Sequence, residues 1–506
     1  MPMLAENNKR IMKNTLLLYI RMGITMLVSL YTSRIVLKAL GVDDFGIYSI
    51  VCSVIVAFSF ISSPLSSATQ RFYNFELGRN NKERLNIVFN HSVLIYVFFA
   101  IFIFLIIEIG GLWFISQKMQ LPVERLSSAK YAFHFCALAF VLRLLKIPFE
   151  SLIIAHEKMS FYAYVCILEV LLNLFNAYSL SVFLFDKLEL YTINNFVISL
   201  INIISVFVYC HRQFPYIHFQ RIWDKDIFRS LLSFSGWNLF GSVASMTANQ
   251  GLNILLNLFY GVAVNAAMGI ANQVNGAVNQ FVSNFQVAFR PQLVKNYASG
   301  SLDSLRILII STSKYSFILL FGIVCPFIFN MHFILELWLG DVPFYTAEFC
   351  TLILVYTLLE TLSAPMWMTV QATGCIRTYQ LVMSSVIFLN ILFSYYFLHL
   401  GFTPLVVLVI KCCLDFVYLA VRLLFIRRMI QFPIGFYIKN VVLRLIIIVF
   451  LSIVSIYAFT LLMLSGWFKL VFSCISFILV YIPIVYYIGL NTNERNMLMT
   501  MFRSKF

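Results

Sequence analysis

Apolar segments long enough to cross a lipid bilayer recur along this whole chain, and they limit its fold more than any single motif does. A hydrocarbon core of ~30 Å requires about 20 apolar residues in one helix. Polar residues, Gly and Pro divide the 506 residues into about fourteen such segments. They lie near residues 14–38, 46–67, 87–115, 130–154, 161–185, 191–211, 231–258, 262–287, 306–329, 346–370, 378–398, 403–426, 438–462 and 467–489. They are too long and too uniformly apolar for the strands of a closed barrel. We therefore predict an all-α polytopic membrane protein with about fourteen transmembrane helices.

The charged residues favour a topology with both termini in the cytoplasm. Only 11% of the chain is charged, and the net charge is +15. With an even number of spans, most basic residues then fall on the cytoplasmic side, as the positive-inside rule expects. The few on the opposite side are Lys38, Lys118, Arg125, Lys130, Lys187 and Lys469. The basic balance therefore indicates topology and contact with anionic lipid, and we predict no nucleic-acid partner. The polar start "MPMLAENNKRIMKN" argues against a cleaved signal peptide.

A long internal repeat predicts two related halves. "SSATQRFYNFELGRNNKERLN" (66–86) and "SNFQVAFRPQLVKNYASGSLDSLR" (283–306) share one plan, in which an apolar helix ends in Arg before a short basic turn. Arg71 and Arg290 are 219 positions apart, and Gly41 and Gly261 are 220 apart. We predict two pseudo-symmetric six-helix lobes, residues 1–212 and 231–428. A cytoplasmic interfacial linker, 213–230, joins them, and 429–506 adds two helices and a cytoplasmic tail. In transporters built from such repeats, the substrate path lies between them.

Ionisable residues deep in the spans are the first candidates for function, because a central Arg or Lys costs ~2.5–3.5 kcal/mol on insertion scales. Arg143, Lys411, Asp415 and Glu360 fall near the middle of their segments. Lys411 and Asp415 stand at i,i+4, and neutralising each other would explain them as well. Arg143 has no acid one helical turn away, so we predict that it faces a water-filled cavity.

Four further charges lie about two turns inside their spans: Arg21, Arg34, Glu169 and Lys314. Snorkelling to the headgroups would also explain both arginines. Arg71 and Arg290 stand at matching cytoplasmic ends, where they would form a paired gate. Anchoring by the positive-inside rule explains these two equally well.

Uncharged polar residues recur at helical spacing in the spans at 231–258 and 262–287. Representative members are Asn249, Asn272, Asn275 and Asn279. Such stripes avoid lipid, and hydrogen bonding between helices is their ordinary explanation. So many amides on adjacent helices also fit the wall of a hydrated cavity, where amides would suit sugar hydroxyls. A basic interior with amide walls predicts an anionic substrate head, such as phosphate or pyrophosphate, that carries polar groups.

The ten cysteines are scattered almost singly and form no Cys-x-x-Cys pair. We interpret them as small packing residues and predict neither disulfides nor a metal site.

The first 90 residues carry a more specific likeness. "NTLLLYIRMGITMLVSLYTSRIVLKALGVDDFGIYSIV" (14–51) is followed by "SSATQRFYNFELGR", and "QATGCIRTYQ" (371–380) forms a later turn. The matched pattern contains Arg21, Arg34, Leu40-Gly41, Asp44-Phe45-Gly46 and Tyr48. The chain resembles the O-antigen and capsule repeat-unit flippases of the multidrug/oligosaccharidyl-lipid/polysaccharide exporter superfamily. The likeness extends over essentially the whole chain but is only general in spans 9–14.

This resemblance implies two facing lobes that work by alternating access. The cargo would be an undecaprenyl-pyrophosphate-linked oligosaccharide, moved from the cytoplasmic to the outer leaflet of a bacterial inner membrane. Arg21, Arg34 and Arg143 would bind the pyrophosphate, with Lys314 and Lys411 as further candidates. Membrane lipids, a glycan polymerase and a chain-length regulator would be the partners of a monomer. We expect no cofactor and no enzymatic activity.

The chain contains no phosphate-binding loop of the Gly-x-x-x-x-Gly-Lys-Ser/Thr type, so the energy would come from an ion gradient, the membrane potential or consumption of product. Glu360, Asp415 and Glu169 are the candidate coupling acids. Two alternatives remain open. A cation-coupled drug exporter of the same fold would carry an acid in its first helix, where this chain has arginines. A membrane glycan polymerase or acyltransferase would use a histidine beside a large outer loop, but the longest candidate loop is 116–129. His91, His134 and His399 have no partner at catalytic spacing.

Overall fold

The computed structural model describes residues 2–56, 58–113, 123–182, 185–220, 223–460, 466–491 and 494–495. These residues form helices joined by short turns, and each of the predicted apolar segments overlaps a helix. The predicted all-α polytopic class is therefore confirmed. The first seven helices are α1 Pro2–Val56, α2 Ser62–Gly78, α3 Lys82–Ile106, α4 Leu126–Ala155, α5 Met159–Ser179, α6 Lys187–Gln213 and α7 Lys225–Ala298. The others are α8 Leu302–Phe329, α9 Met331–Leu339, α10 Thr346–Thr373, α11 Arg377–His399, α12 Val406–Ile430, α13 Ile434–Tyr437, α14 Leu443–Thr460 and α15 Gly466–Ile484. Single π-turns extend three of them, at Ile107–Gly111, Ile438–Val442 and Val485–Gly489.

The chain forms two compact units. One comprises residues 10–243, and the other comprises 244–506 with the N-terminal segment up to Lys9. In the first unit, α4 packs against α2, α3, α5 and α6. In the second unit, α10 packs against α8, α9 and α12, and α15 packs against α8 and α14. Each unit is thus organised around one central helix, α4 or α10. The predicted lobe boundaries, 212 and 231, stay predictions.

The internal repeat seen in the sequence is also present in the backbone. Helices α1 and α7 are each interrupted by one glycine, Gly41 at φ 77° and ψ 174° and Gly261 at φ 76° and ψ −167°. Only glycine adopts this region without strain. Helix α8 begins 220 residues after α3 (302 against 82), and α10 begins 220 after α4 (346 against 126). Equivalent helices therefore occupy equivalent positions along the two halves.

The helices differ in how well they suit a lipid surface. Among the described residues, nine helical segments are long and apolar enough to cross a membrane by length and composition alone. Helices α2, α4, α7 and α12 are not among those nine, although all of them overlap predicted spans. Lys411, Asp415 and Arg422 stand within one short stretch of α12, and the amide stripes lie on α7. Polar residues are therefore concentrated on particular helices, and these are the helices that build the sites described below.

The segment that leads from α6 to α7 is held against the polar face of α3. Asn86 Oδ1 accepts the backbone N–H of His218 at 3.0 Å, and Asn90 Nδ2 donates to the carbonyl of His218 at 3.1 Å. His91 Nε2 accepts the N–H of Asp224 at 3.0 Å. The carboxylate of Asp224 in turn caps α7, accepting from Ile227 N at 3.1 Å and from Asp226 N. These N–H groups hold the pKa of Asp224 below its usual range.

Candidate functional site

A cavity of about 570 Å³ opens inside the first unit, between the two parts of α1 and helices α4, α5 and α6. Helical periodicity explains its walls, because residues three and four apart share a face. Its lining residues are Ser29, Thr32, Ser33, Val36, Phe45, Tyr48, Cys52, Ile55, Ser59, Ser62, Cys136, Ala139, Phe140, Arg143, Val170, Asn173, Tyr191 and Asn195. Hydroxyls, amides and aromatic rings therefore form the wall.

Arg143 is the one charged residue in that lining set. Its side chain is exposed although it lies in the middle of α4. Cys136, Ala139 and Phe140 precede it on the same face of the helix, so the guanidinium follows an apolar strip into the cavity. Arg143 therefore lines a cavity, and its contact with water or substrate stays a prediction. The cavity has positive polarity, which suits an anion that also carries hydroxyl groups.

Arg21 lies in the same unit but outside the lining set. Its Nη1 donates to Cys166 Sγ at 3.4 Å, and its guanidinium lies 5.0 Å from the centre of the Tyr162 ring. Glu169, three residues after Cys166 on α5, lies 3.8 Å from Lys146 Nζ. Lys146 also lies 3.8 Å from the carboxylate of Glu150. The predicted coupling acid Glu169 therefore shares one base, Lys146, with Glu150.

Arg34 has an exposed side chain on α1 and does not belong to the cavity lining. In the second unit, Lys314 is only 2% exposed, and its Nζ contacts both oxygens of Glu494, at 2.8 and 2.7 Å. This ion pair supplies Lys314 with a partner from the chain itself. The proposed contact of Lys314 with substrate stays a prediction.

Lys411, Asp415 and Glu360 come together with Arg422 in the second unit. Lys411 Nζ donates to Asn249 Oδ1 at 3.2 Å and lies 4.4 Å from the centre of the Tyr356 ring. Asp415 is 2% exposed. The charges of Glu360 and Asp415 act on both Lys411 and Arg422. Two acids and two bases on α10 and α12 thus lie within electrostatic range of one another, beyond the i,i+4 pair.

Arg422 is a member of this group that the sequence analysis missed. Its Nε donates to Tyr379 Oη at 3.0 Å, and its Nη1 donates to Ser363 Oγ. Positions 411, 415 and 422 are four and seven residues apart, so all three share one face of α12. That spacing was available as a signal in the sequence.

Each central helix carries a charged residue five positions before a proline. In α4 this is Arg143 before Pro148, and in α10 it is Glu360 before Pro365. The first unit therefore has a base in this setting and the second unit has an acid.

The predicted amides have different surroundings. Asn275 Oδ1 accepts from Asn279 Nδ2 at 3.1 Å and from Thr357 Oγ1 at 2.7 Å. The Thr357 bond links α7 to α10, so hydrogen bonding between helices accounts for Asn275. Asn249 accepts the bond from Lys411. Asn272 is exposed on α7.

A second pocket, of about 430 Å³, surrounds the break in α7. Gln250, Asn253, Asn257 and Asn265 supply four amides to it. Ile254 and Leu258 complete the described lining, which contains no ionisable side chain.

The predicted gate arginines pack against aromatic rings of their own units. The guanidinium of Arg71 lies 4.6 Å from the centre of the Phe72 ring and 5.4 Å from that of Phe234. Arg290 Nη2 donates to Gln371 Oε1 at 2.7 Å, within the turn that the sequence analysis singled out. These contacts give both arginines a packing role, and the gate stays a prediction.

One expectation about histidines is wrong. His134 does have a partner, because its Nδ1 lies 2.8 Å from Glu108 Oε2 in the π-turn that ends α3. The two residues are far apart in sequence and meet only because α3 packs against α4. All ten cysteines are free thiols.

Comparison with known proteins identifies the fold. No family model matches the chain. "Uncharacterized membrane protein EpsK" of Bacillus subtilis (strain 168) is 19% identical over 286 residues, 56% of each chain, so the match spans about half of that relative. A crystal structure of a MATE with one proline-to-alanine substitution aligns with a TM-score of 0.72 and 14% identity, covering 84% of this chain and 96% of that one. A MOP superfamily transporter from Pyrococcus furiosus Vc1 aligns at 0.69 and 15%, with coverage of 84% and 96%. The chain therefore has the fold shared by MATE and MOP superfamily transporters.

Proposed function

We propose that this protein is a flippase that moves a lipid-linked oligosaccharide from the cytoplasmic to the outer leaflet of a bacterial inner membrane by alternating access. Undecaprenyl pyrophosphate would be the lipid carrier. The observation that carries the proposal is the cavity of the first unit, in which Arg143 is the one charged residue of the lining set. Hydroxyls and amides surround it, and these suit a cargo that carries both an anion and sugars.

Arg143 would bind the pyrophosphate. A guanidinium offers planar, paired donors that match phosphate oxygens, and it stays charged at physiological pH. Placing an arginine inside a membrane is costly, so binding a dianionic group there would offset much of that cost. Ser29, Ser33 and Asn173 would contribute neutral donors beside it. Arg21 and Arg34 would bind the pyrophosphate at other points of its path across the membrane.

The coupling step would use acids of the second unit. Asp415 is buried, and Glu360 shares its surroundings with Lys411 and Arg422. Protonation of one acid would leave two bases opposite a single negative charge, and would change how strongly the group holds α12 to α10. Glu169, beside Lys146, would offer a second acid in the first unit.

Positive cavity polarity also bears on the alternative of a cation-coupled drug exporter. For the Pyrococcus furiosus transporter, reverse polarity of the binding pocket suggests a function that differs within the MOP superfamily. An exporter of organic cations would require an acidic wall, whereas Arg143 supplies the charge here. We therefore favour an anionic cargo for this chain.

The test is deletion of the gene in its host, followed by measurement of lipid-linked oligosaccharide in each leaflet and of surface glycan. We expect precursor to accumulate on the cytoplasmic side and surface glycan to be lost. Complementation with Arg143→Gln should fail, and Arg143→Lys should restore part of the function because it keeps the charge but not the paired donors. Expression of each variant is checked by quantitative blotting of the membrane fraction.

Three outcomes would contradict this proposal. Single repeat units that still reach the surface would indicate that a polymerase is missing. Normal glycan with altered drug sensitivity would identify an exporter. Full complementation by Arg143→Gln would remove the cationic cavity as the basis of substrate binding.

A further inference from the structure

The pocket at the break of α7 has a composition that differs from that of the cavity around Arg143. Four amides, from Gln250, Asn253, Asn257 and Asn265, line it, and no ionisable side chain is among its described lining residues. We propose that this pocket is a saccharide subsite that binds hydroxyl groups of the glycan, apart from the anion site of the first unit. This inference rests on the proposed function and names a part of its substrate.

The break at Gly261 creates this arrangement. In an unbroken helix, positions 257 and 265 would stand ~12 Å apart along the axis, at 1.5 Å per residue, and about 80° apart around it. The left-handed φ of Gly261, 76°, turns the second part of the helix, so that Asn265 and Asn257 line the same pocket. The amides on the two sides of Gly261 therefore line one pocket because the backbone is broken there.

The amides retain hydrogen-bonding capacity. One internal bond is present, from Asn253 Nδ2 to Gln250 Oε1 at 3.3 Å. Each amide offers one carbonyl acceptor and two N–H donors, so most of their capacity stays available after that bond. A sugar hydroxyl both donates and accepts, and one amide can serve either role. A neutral wall also explains why the pocket would select the glycan and not the pyrophosphate.

Apolar surface completes the match. Ile254 is 60% exposed and Leu258 is 74% exposed, on the turns of α7 next to the amides. The ring faces of a sugar present C–H groups, which pack on exposed aliphatic side chains while the ring hydroxyls point to the amides. Hydrogen bonding between helices explains Asn275, but the contact described for Asn253 lies within α7 itself.

The test compares two ligands on the purified full-length protein. One is undecaprenyl pyrophosphate, and the other is the same lipid carrying the repeat unit of the host's glycan. The double variant Asn257→Leu/Asn265→Leu keeps side-chain volume while removing both amides. Gln280→Met, an exposed amide on the same helix outside the pocket, is the matched control.

We expect the double variant to bind the glycan-bearing lipid roughly tenfold or more weakly, since each lost hydrogen bond contributes measurably to affinity, and to bind undecaprenyl pyrophosphate unchanged. Gln280→Met should bind both lipids as the wild type does. Arg143→Gln should weaken both. Equal affinity of the double variant and the wild type for the glycan-bearing lipid would overturn the saccharide subsite, and so would an equal loss for both lipids.

A wild-type protein that binds neither lipid would instead refute the proposed function. Sugar binding by the pocket is then tested separately, by saturation-transfer NMR with oligosaccharide released from the host's surface glycan. Transfer to the wild type that disappears in the double variant supports a saccharide site independent of flipping. Absence of transfer, or equal transfer in both proteins, overturns it.

Discussion

Replacing Gly261 by alanine tests whether the break in α7 is required by the fold. The φ of 76° and ψ of −167° at Gly261 lie in a region that is essentially restricted to glycine, where another residue costs about 1–3 kcal/mol. A Cβ built at this position meets no atom within 4 Å, so the cost comes from the backbone and not from a clash. Gly269 is the matched control, because it lies on the same helix, has equally open surroundings and has an ordinary helical φ.

The two substitutions should therefore have opposite effects. Alanine at 269 should stabilise the helix by about 0.5–1 kcal/mol, because glycine loses more conformational freedom on folding. Alanine at 261 should destabilise the protein by about 1–3 kcal/mol, or straighten the helix and separate Asn257 from Asn265. Thermal unfolding in detergent measures the first outcome, and the distance between spin labels at 257 and 265 measures the second. A Gly261→Ala protein as stable as Gly269→Ala, with an unchanged label distance, would refute the reasoning.

Two further substitutions test packing at other points. A Cβ on Gly111 would overlap the buried ring of Phe133, so Gly111→Ala should destabilise the protein by about 1–3 kcal/mol. A Cβ on Gly110 meets no atom within 4 Å, so Gly110→Ala should leave the unfolding temperature nearly unchanged. Glu494→Ala leaves the buried Lys314 ammonium without its carboxylate and should lower the free energy of unfolding by about 3–5 kcal/mol. Adding Lys314→Met should recover most of that loss. A double variant no more stable than Glu494→Ala alone would contradict an ion pair between Lys314 and Glu494.

Much of the architecture follows from one-dimensional patterns. Segment length in lipid requires helices, so the spans were predictable from apolar runs alone. The repeat was visible as the spacing of Gly41 and Gly261, and the structure shows what that spacing means, since both glycines interrupt a long helix. Whether a residue can adopt this conformation depends on steric contacts within its own stretch of backbone. The positions of the two glycines in the sequence could therefore indicate the two breaks.

The site was only partly predictable. Arg143 lines a cavity, in keeping with the cost of a mid-span base that has no acid one turn away. Arg21 packs on Tyr162 and Cys166 of α5, and its predicted contact with pyrophosphate stays a prediction. Depth in a span is a property of one helix, whereas the direction of a side chain relative to a neighbouring helix is not.

The helices and their repeat follow from the amino-acid sequence alone, because they depend on composition and on spacing along one segment. Which charges meet depends on how the helices pack in three dimensions. Lys314 and Glu494 lie 180 residues apart, and His134 and Glu108 lie on two consecutive helices; tertiary packing brings each pair together. Such pairs depend on the relative rotation of two packed helices, and no periodicity within either helix records that rotation.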